Sequence, residues 1–145
     1  MPLFEATMPK PVLDDPDTEA FWKACREHRL IVQQCTACGT FRFAPVPICF
    51  SCLSPEYRWV DSSGTGEVYT WTICHRSYHP ATQGRLPYNV VVVRLDDCGG
   101  ALITSNLIGP GAENPIHAGM RARVVWDDVD EGCSLPRFEI VGEHR

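Results

Sequence analysis

Lysine is nearly missing from this sequence: Lys10 and Lys23 are the only two, every other basic residue is an arginine, and the net charge is −5 with a pI near 5.5. That balance offers no long-range attraction to a polyanion. Also missing is any apolar run near the roughly 18 residues a bilayer-spanning helix requires, so no membrane partner is expected. There is no G-x-G-x-x-G and no P-loop, which leaves nucleotide binding of those kinds without support. Met1 to Asp17 has neither the basic start nor the apolar stretch of an export signal, so the chain is expected to be cytoplasmic.

What is present is cysteine. Eight cysteines occur in 145 residues, and four of them form two pairs, Cys35-Thr36-Ala37-Cys38 and Cys49-Phe50-Ser51-Cys52. Each C-x-x-C forms a tight knuckle, and two knuckles at this separation can converge four thiolates on one tetrahedral ion. Gly39 follows the first pair, where positive φ is commonly needed. A disulfide scaffold would use the same residues, but a reducing cytosol keeps thiols free for metal. Four thiolates with no open position describe a structural zinc site. The same ligands would hold one iron, as in a rubredoxin, and spacing does not separate the two. Cys25, Cys74, Cys98 and Cys133 remain, and read as small buried side chains or ordinary thiols.

The composition, 44% apolar and 21% charged, is that of a globular protein with one moderate core. Three regions are expected: an arm and helix over 1–34, a zinc ribbon over 35–58, and a β domain over 59–145. Asp15-Pro16 suits a helix start, with Asp15 as cap and Pro16 at the first helical position. Phe21, Ala24, Cys25 and His28 then fall on one face, with Trp22 beside it. The Phe21-Trp22 pair either packs on the rest of the chain or anchors a partner subunit. Leu30 to Gln34 reads as a strand entering the first knuckle, and Phe41-Arg42-Phe43 as a hairpin strand between the cysteine pairs.

From Trp59 onward, short strands alternate with turns. Strands are expected over Glu67 to His75, Tyr88 to Leu95, Ala101 to Ile108, Met120 to Trp126 and Arg137 to Val141. Tyr69, Trp71 and Ile73 should share one face of the first. Arg76 to Pro87 reads as a polar loop, and Asp127 to Gly132 as an acidic one. Five strands with a long connection between the third and fourth fit a closed OB-type barrel, and closure removes the edges that the run Val90 to Val93 would expose.

The order of parts, Phe21-Trp22 on a leading helix, Leu30, Cys35-x-x-Cys38-Gly39, Pro45, Cys49-x-x-Cys52, Gly64-x-Gly66 and Gly119-Met120-x-x-x-Val124, resembles the zinc-ribbon/OB-fold acyl-CoA-associated family, long called domain-of-unknown-function 35 (DUF35). The resemblance covers roughly residues 18 to 141. It implies a mainly β fold: an N-terminal helix, a rubredoxin-like zinc ribbon and a five-stranded OB barrel. It implies an accessory subunit without chemistry of its own. Such a subunit would dock on a thiolase-like enzyme, or accompany a hydratase or aldolase of the same pathway, and help form an acyl-CoA channel for aromatic, steroid side-chain or fatty acyl thioesters. It places zinc ligands on Cys35, Cys38, Cys49 and Cys52 and a helix aromatic pair on Phe21 and Trp22. Some members carry an arginine after a proline ahead of the second knuckle; Val46-Pro47 stands in that neighbourhood here.

For the CoA phosphates, guanidinium geometry nominates Arg76, Arg85, Arg121 and Arg123. A Cys74/His75 catalytic dyad is disfavoured because neighbours on a strand face opposite ways, although His79 lies close by in the loop. His28, His117 and His144 have no companion pattern. Two other readings stay open. One is a module binding single-stranded nucleic acid through Tyr69, Trp71 and Tyr88, which the acidic balance opposes. The other is a rubredoxin-like electron carrier.

Overall fold

The computed structural model describes residues 2–142. It contains one α-helix, α1 (Glu19–Arg26), and eight strands: β1 (Ile31–Cys35), β2 (Phe41–Arg42), β3 (Tyr57–Asp61), β4 (Thr65–Cys74), β5 (Tyr88–Leu95), β6 (Leu102–Ser105), β7 (Arg121–Asp130) and β8 (Cys133–Ile140). Asp15 does act as an N-terminal signal, but for a turn ahead of the helix. Its carboxylate accepts from the Asp17 N–H at 2.9 Å, its carbonyl from Thr18 and Glu19, and α1 starts only at Glu19. The apolar spacing then buries Phe21, Ala24 and Cys25, but His28 does not join that face: α1 ends at Arg26, and His28 lies beyond it, exposed and at φ +57°.

Two antiparallel sheets follow. The ribbon sheet has the order β2-β1-β3, with β1 central. The second has the order β6-β5-β4-β7-β8 and curls into a nearly closed five-stranded OB-like barrel. The seam is parallel: Leu107 bridges Phe138, Ile108 donates to the Phe138 carbonyl at 2.8 Å, and Ser105 Oγ donates to the Pro136 carbonyl at 2.7 Å. β4 is shared between β5 and β7, pairing with β7 only through Thr65–Glu67 and with β5 along its whole length.

Gly64 and Gly66 allow this sharing. Gly64 sits at φ +77°, and a Cβ there would overlap Val124; a Cβ on Gly66 would run into the Arg94 carbonyl on β5. Sheet and ribbon are then welded by one core. Phe21, Cys25, Ile31 and Val32 pack in a single cluster with Val68, Val91, Val93, Ile103 and Phe138.

Two local expectations change. The acidic stretch Asp127 to Gly132 is mostly strand, with β7 running to Asp130 and β8 starting at Cys133. Its carboxylates are matched rather than merely solvated: Asp127 is buried against Arg137, and Asp128 accepts from Ser134 at 2.6 Å and meets His28 at 2.8 Å. The loop from Arg76 holds a 3₁₀ turn, Pro80–Arg85, capped by His79, whose Nδ1 accepts from the Ala81 N–H at 3.1 Å. His144 lies outside the described residues.

Candidate metal centre and barrel cleft

The first knuckle extends from the end of β1, where the Gly39 N–H bonds the Cys35 carbonyl at 2.9 Å with Gly39 at φ +78°. The second repeats the pattern, with the Leu53 N–H on the Cys49 carbonyl at 2.9 Å and Leu53 at φ +64°. Together they bring the sulfurs of Cys35, Cys38, Cys49 and Cys52 within 4.8 Å of one another. Cys35 and Cys52 are 3.6 Å apart, and Cys38 and Cys49 are 3.7 Å apart. Four sulfurs about 2.3 Å from a tetrahedral ion lie about 3.8 Å from each other, so the spacing fits zinc directly.

The proton chemistry points the same way. Hydrogen bonds from the Thr40 hydroxyl and backbone pull Cys38 down to about 6. Backbone N–H groups, Cys52's first, lower Cys49. The Ser54 N–H also favours the Cys52 thiolate, but crowding by the Cys35 and Cys38 sulfurs outweighs it and pushes Cys52 up to about 12. Four thiolates in this space require a cation between them, and this donor set supports one closed structural zinc ion.

The other thiols are of the inert kind. Burial pushes Cys25 up to about 12 and Cys98 up to about 11, and also raises Cys133. Cys74 is half-buried and pairs across the sheet with Tyr88, while the ring nitrogen of His79 is engaged in its cap.

A second feature is a cleft of about 810 Å³ where β4 leaves β7. Tyr69 is the irregular residue between Val68 and Thr70 in the β4–β5 register, so the stretch beyond it changes facing. Trp71 and Ile73 stand opposite Val91 and Asn89, on the side of the sheet that Val91 buries. Here the barrel gapes, and each remains 40% exposed. Tyr88, Leu107 and Ile116 complete the apolar wall, and Asn89, Asn106 and Arg85 supply polar groups. Sequence alternation placed Tyr69 with Trp71 and Ile73; the register shift separates it from them, and its ring lies under the Arg94 guanidinium at 5.4 Å.

The arginines nominated for phosphate do not form a group. Arg121 is held by Asp96 (2.9 Å from Nη1), and Arg123 by Glu139 at 2.6 Å, so both are already neutralised. Arg76 lies over the Tyr78 ring at 5.6 Å, and Arg85 is exposed at the rim of the cleft. On the helix, Phe21 is 3% exposed with its ring against Trp22 and Phe43, whereas Trp22 is half-buried along a smaller groove of about 300 Å³ shared with Pro45 and Pro136. The cleft itself gave no local signal, since its walls come from segments far apart in the chain.

A leading helix, a four-cysteine ribbon and an OB-like barrel fused through one core define a zinc-ribbon/OB-fold protein. Residues 22–58 match "ChsH2, rubredoxin-like zinc ribbon domain" and residues 59–127 match "ChsH2, C-terminal OB-fold domain". The chain belongs to the ChsH2 family, that is, to the DUF35 proteins. It is 36% identical over 135 residues to a probable enoyl-CoA hydratase alpha subunit of Thermomonospora curvata, covering 92% of this chain and 40% of that protein. To the 3-oxo-4,17-pregnadiene-20-carboxyl-CoA hydratase alpha subunit of Mycobacterium tuberculosis it is 30% identical over 116 residues, 79% of this chain and 35% of that one. It thus spans about two fifths or less of these relatives. A solved structure titled Ltp2-ChsH2(DUF35) aldolase superposes with a TM-score of 0.77 at 34% identity, covering 90% of this chain and 98% of that chain. A DUF35-family protein of unknown function from Sulfolobus solfataricus shares the fold, at a TM-score of 0.60 and 16% identity, covering 87% of this chain and 86% of that one.

Proposed function

We propose that this chain is a non-catalytic accessory subunit that docks on a thiolase-like enzyme, or on a hydratase or aldolase of the same pathway, and completes its acyl-CoA channel. One observation carries the reading: the chain matches, along almost its whole length, a chain of an assembly named as an aldolase. The zinc ribbon acts as a bracket and performs no chemistry, because its four cysteines leave no open ligand position. The catalytic groups belong to the partner, and this subunit contributes shape and water exclusion. The barrel cleft is suited to that task, since Trp71 and Ile73 give a roomy space an apolar wall with polar groups at its edge. Within the proposal, Arg85 and Arg76 are the phosphate contacts, because Arg121 and Arg123 are held by carboxylates, and half-buried Trp22 rather than buried Phe21 is the helix anchor.

The nucleic-acid reading is weakened by the same pairing. Arg29, Arg94, Arg121, Arg123 and Arg137 all meet carboxylates, which breaks up any basic stripe along the barrel. Co-expression with a thiolase-like, hydratase or aldolase protein encoded beside it tests the proposal. A stable hetero-oligomer whose acyl-CoA activity disappears when this chain is withheld is the expected result. A fully active partner without it would sink the idea.

A further inference from the structure

The ribbon contains a charge with no counterpart. Arg42 on β2 is only 3% exposed. Its Nε donates to Gln33 Oε1 at 3.0 Å, and that oxygen also accepts the Val46 N–H at 2.9 Å. The guanidinium lies over the Tyr57 ring at 5.2 Å. The other two guanidinium nitrogens have no hydrogen-bond partner, and among the described residues no carboxylate pairs with Arg42. A buried cation in this condition is strongly unfavourable unless negative charge lies close by.

The same module contains surplus charge of the opposite sign, because four thiolates around one divalent ion carry two more negative charges than they neutralise. The strand register places the two together. Gln33 is opposite Arg42, and Cys35 is opposite Tyr57. Gln33 and Cys35 are two apart on β1 and share a face. Reaching from β2 to the Tyr57 ring on β3, the Arg42 side chain crosses β1 on the face from which Cys35 projects. The other face carries Gln34 with Arg58, bonded at 2.9 Å and exposed.

We propose that Arg42 is the buried counter-cation of the tetrathiolate centre. Gln33 and Tyr57 hold its plane in place, and its charge offsets the negative excess of the metal site and lowers the basicity of the sulfurs. Release of the ion would strand Arg42 without compensation, so metal retention and burial of this side chain are coupled. The role is electrostatic and positioning; Arg42 is not a ligand.

Chelator competition for zinc, together with absorption spectra of the cobalt(II)-loaded full chain, tests this with R42Q, R42M, R42K and the opposite-face control R58Q. R42Q and R42M should bind zinc about 10–100-fold more weakly, with R42K intermediate. Their thiolate-to-cobalt charge-transfer bands should move to longer wavelength, because the sulfur electrons lose a stabilising positive charge. R58Q should move neither quantity. Unmoved bands in R42Q or R42M, or an equal shift in R58Q, would overturn the proposal. Should R42Q and R42M take up no metal, uptake by R42K supports it, and failure of R42K as well shows a packing requirement and overturns it.

Discussion

At the scale of single residues, polar side chains in this protein act as joints between elements. Asp97, in the turn after β5, accepts from the Ser62 hydroxyl at 2.6 Å and the Ser63 N–H at 2.7 Å, tying that turn to the chain leaving the ribbon. Burial opposes its ionisation, but these hydrogen bonds prevail and hold its carboxyl below the ordinary 3.8. A folded-state value lower than the unfolded one contributes stability that is complete above about pH 4 and is lost as pH falls through the lowered value. Asp97→Asn should therefore cost about 1–2 kcal/mol at neutral pH, toward the lower end because the group is partly exposed. Urea unfolding of both proteins across pH should show the gap closing below about pH 4.

At the scale of elements, the two glycines of Gly64-x-Gly66 do different things. Gly64 needs both its positive φ and the room beside Val124, while Gly66 is limited by the close approach of the Arg94 backbone. Backbone cannot swing aside like a side chain, so Gly66→Ala should cost about 3 kcal/mol or more and lower the urea midpoint without changing zinc content. These glycines stood out in the sequence before their reasons were visible. The knuckles, the helix face and most barrel strands were legible for a local reason: spacing of cysteines and alternation of apolar residues are properties of neighbouring positions. Three features were not. β7 and β8 run on through the acidic stretch because hairpin pairing brings Ser134 and Arg137 of β8 across to its carboxylates, and His28 reaches them from the end of the helix region. The shift at Tyr69 is set by pairing with β5. Arg42 looked like an ordinary hairpin residue, since its burial depends on the return loop that brings Val46 to Gln33.

At the scale of the whole molecule, the ribbon and barrel share a core, so the metal braces both, and the surface left over is unevenly apolar. Trp71 and Ile73, each 40% exposed, form an apolar patch on the cleft side of β4, while Tyr69 is turned away from them beneath Arg94. Such a patch beside a cleft is the surface expected to meet another protein. Trp71→Asp and Ile73→Asp should abolish co-purification with the proposed enzyme partner while changing thermal stability by less than about 1 kcal/mol, because both side chains are already partly in water. Retained association in both variants would move the docking site elsewhere. The parting of β4 from β7 has one more outcome. Past Gly119 and Val68 the far side of β4 meets no neighbouring ladder among the described residues, leaving a row of amide groups ready to template a foreign strand. Purified by itself, the chain should self-associate and cloud as it is concentrated, and the proposed enzyme partner would then also be what keeps it dispersed.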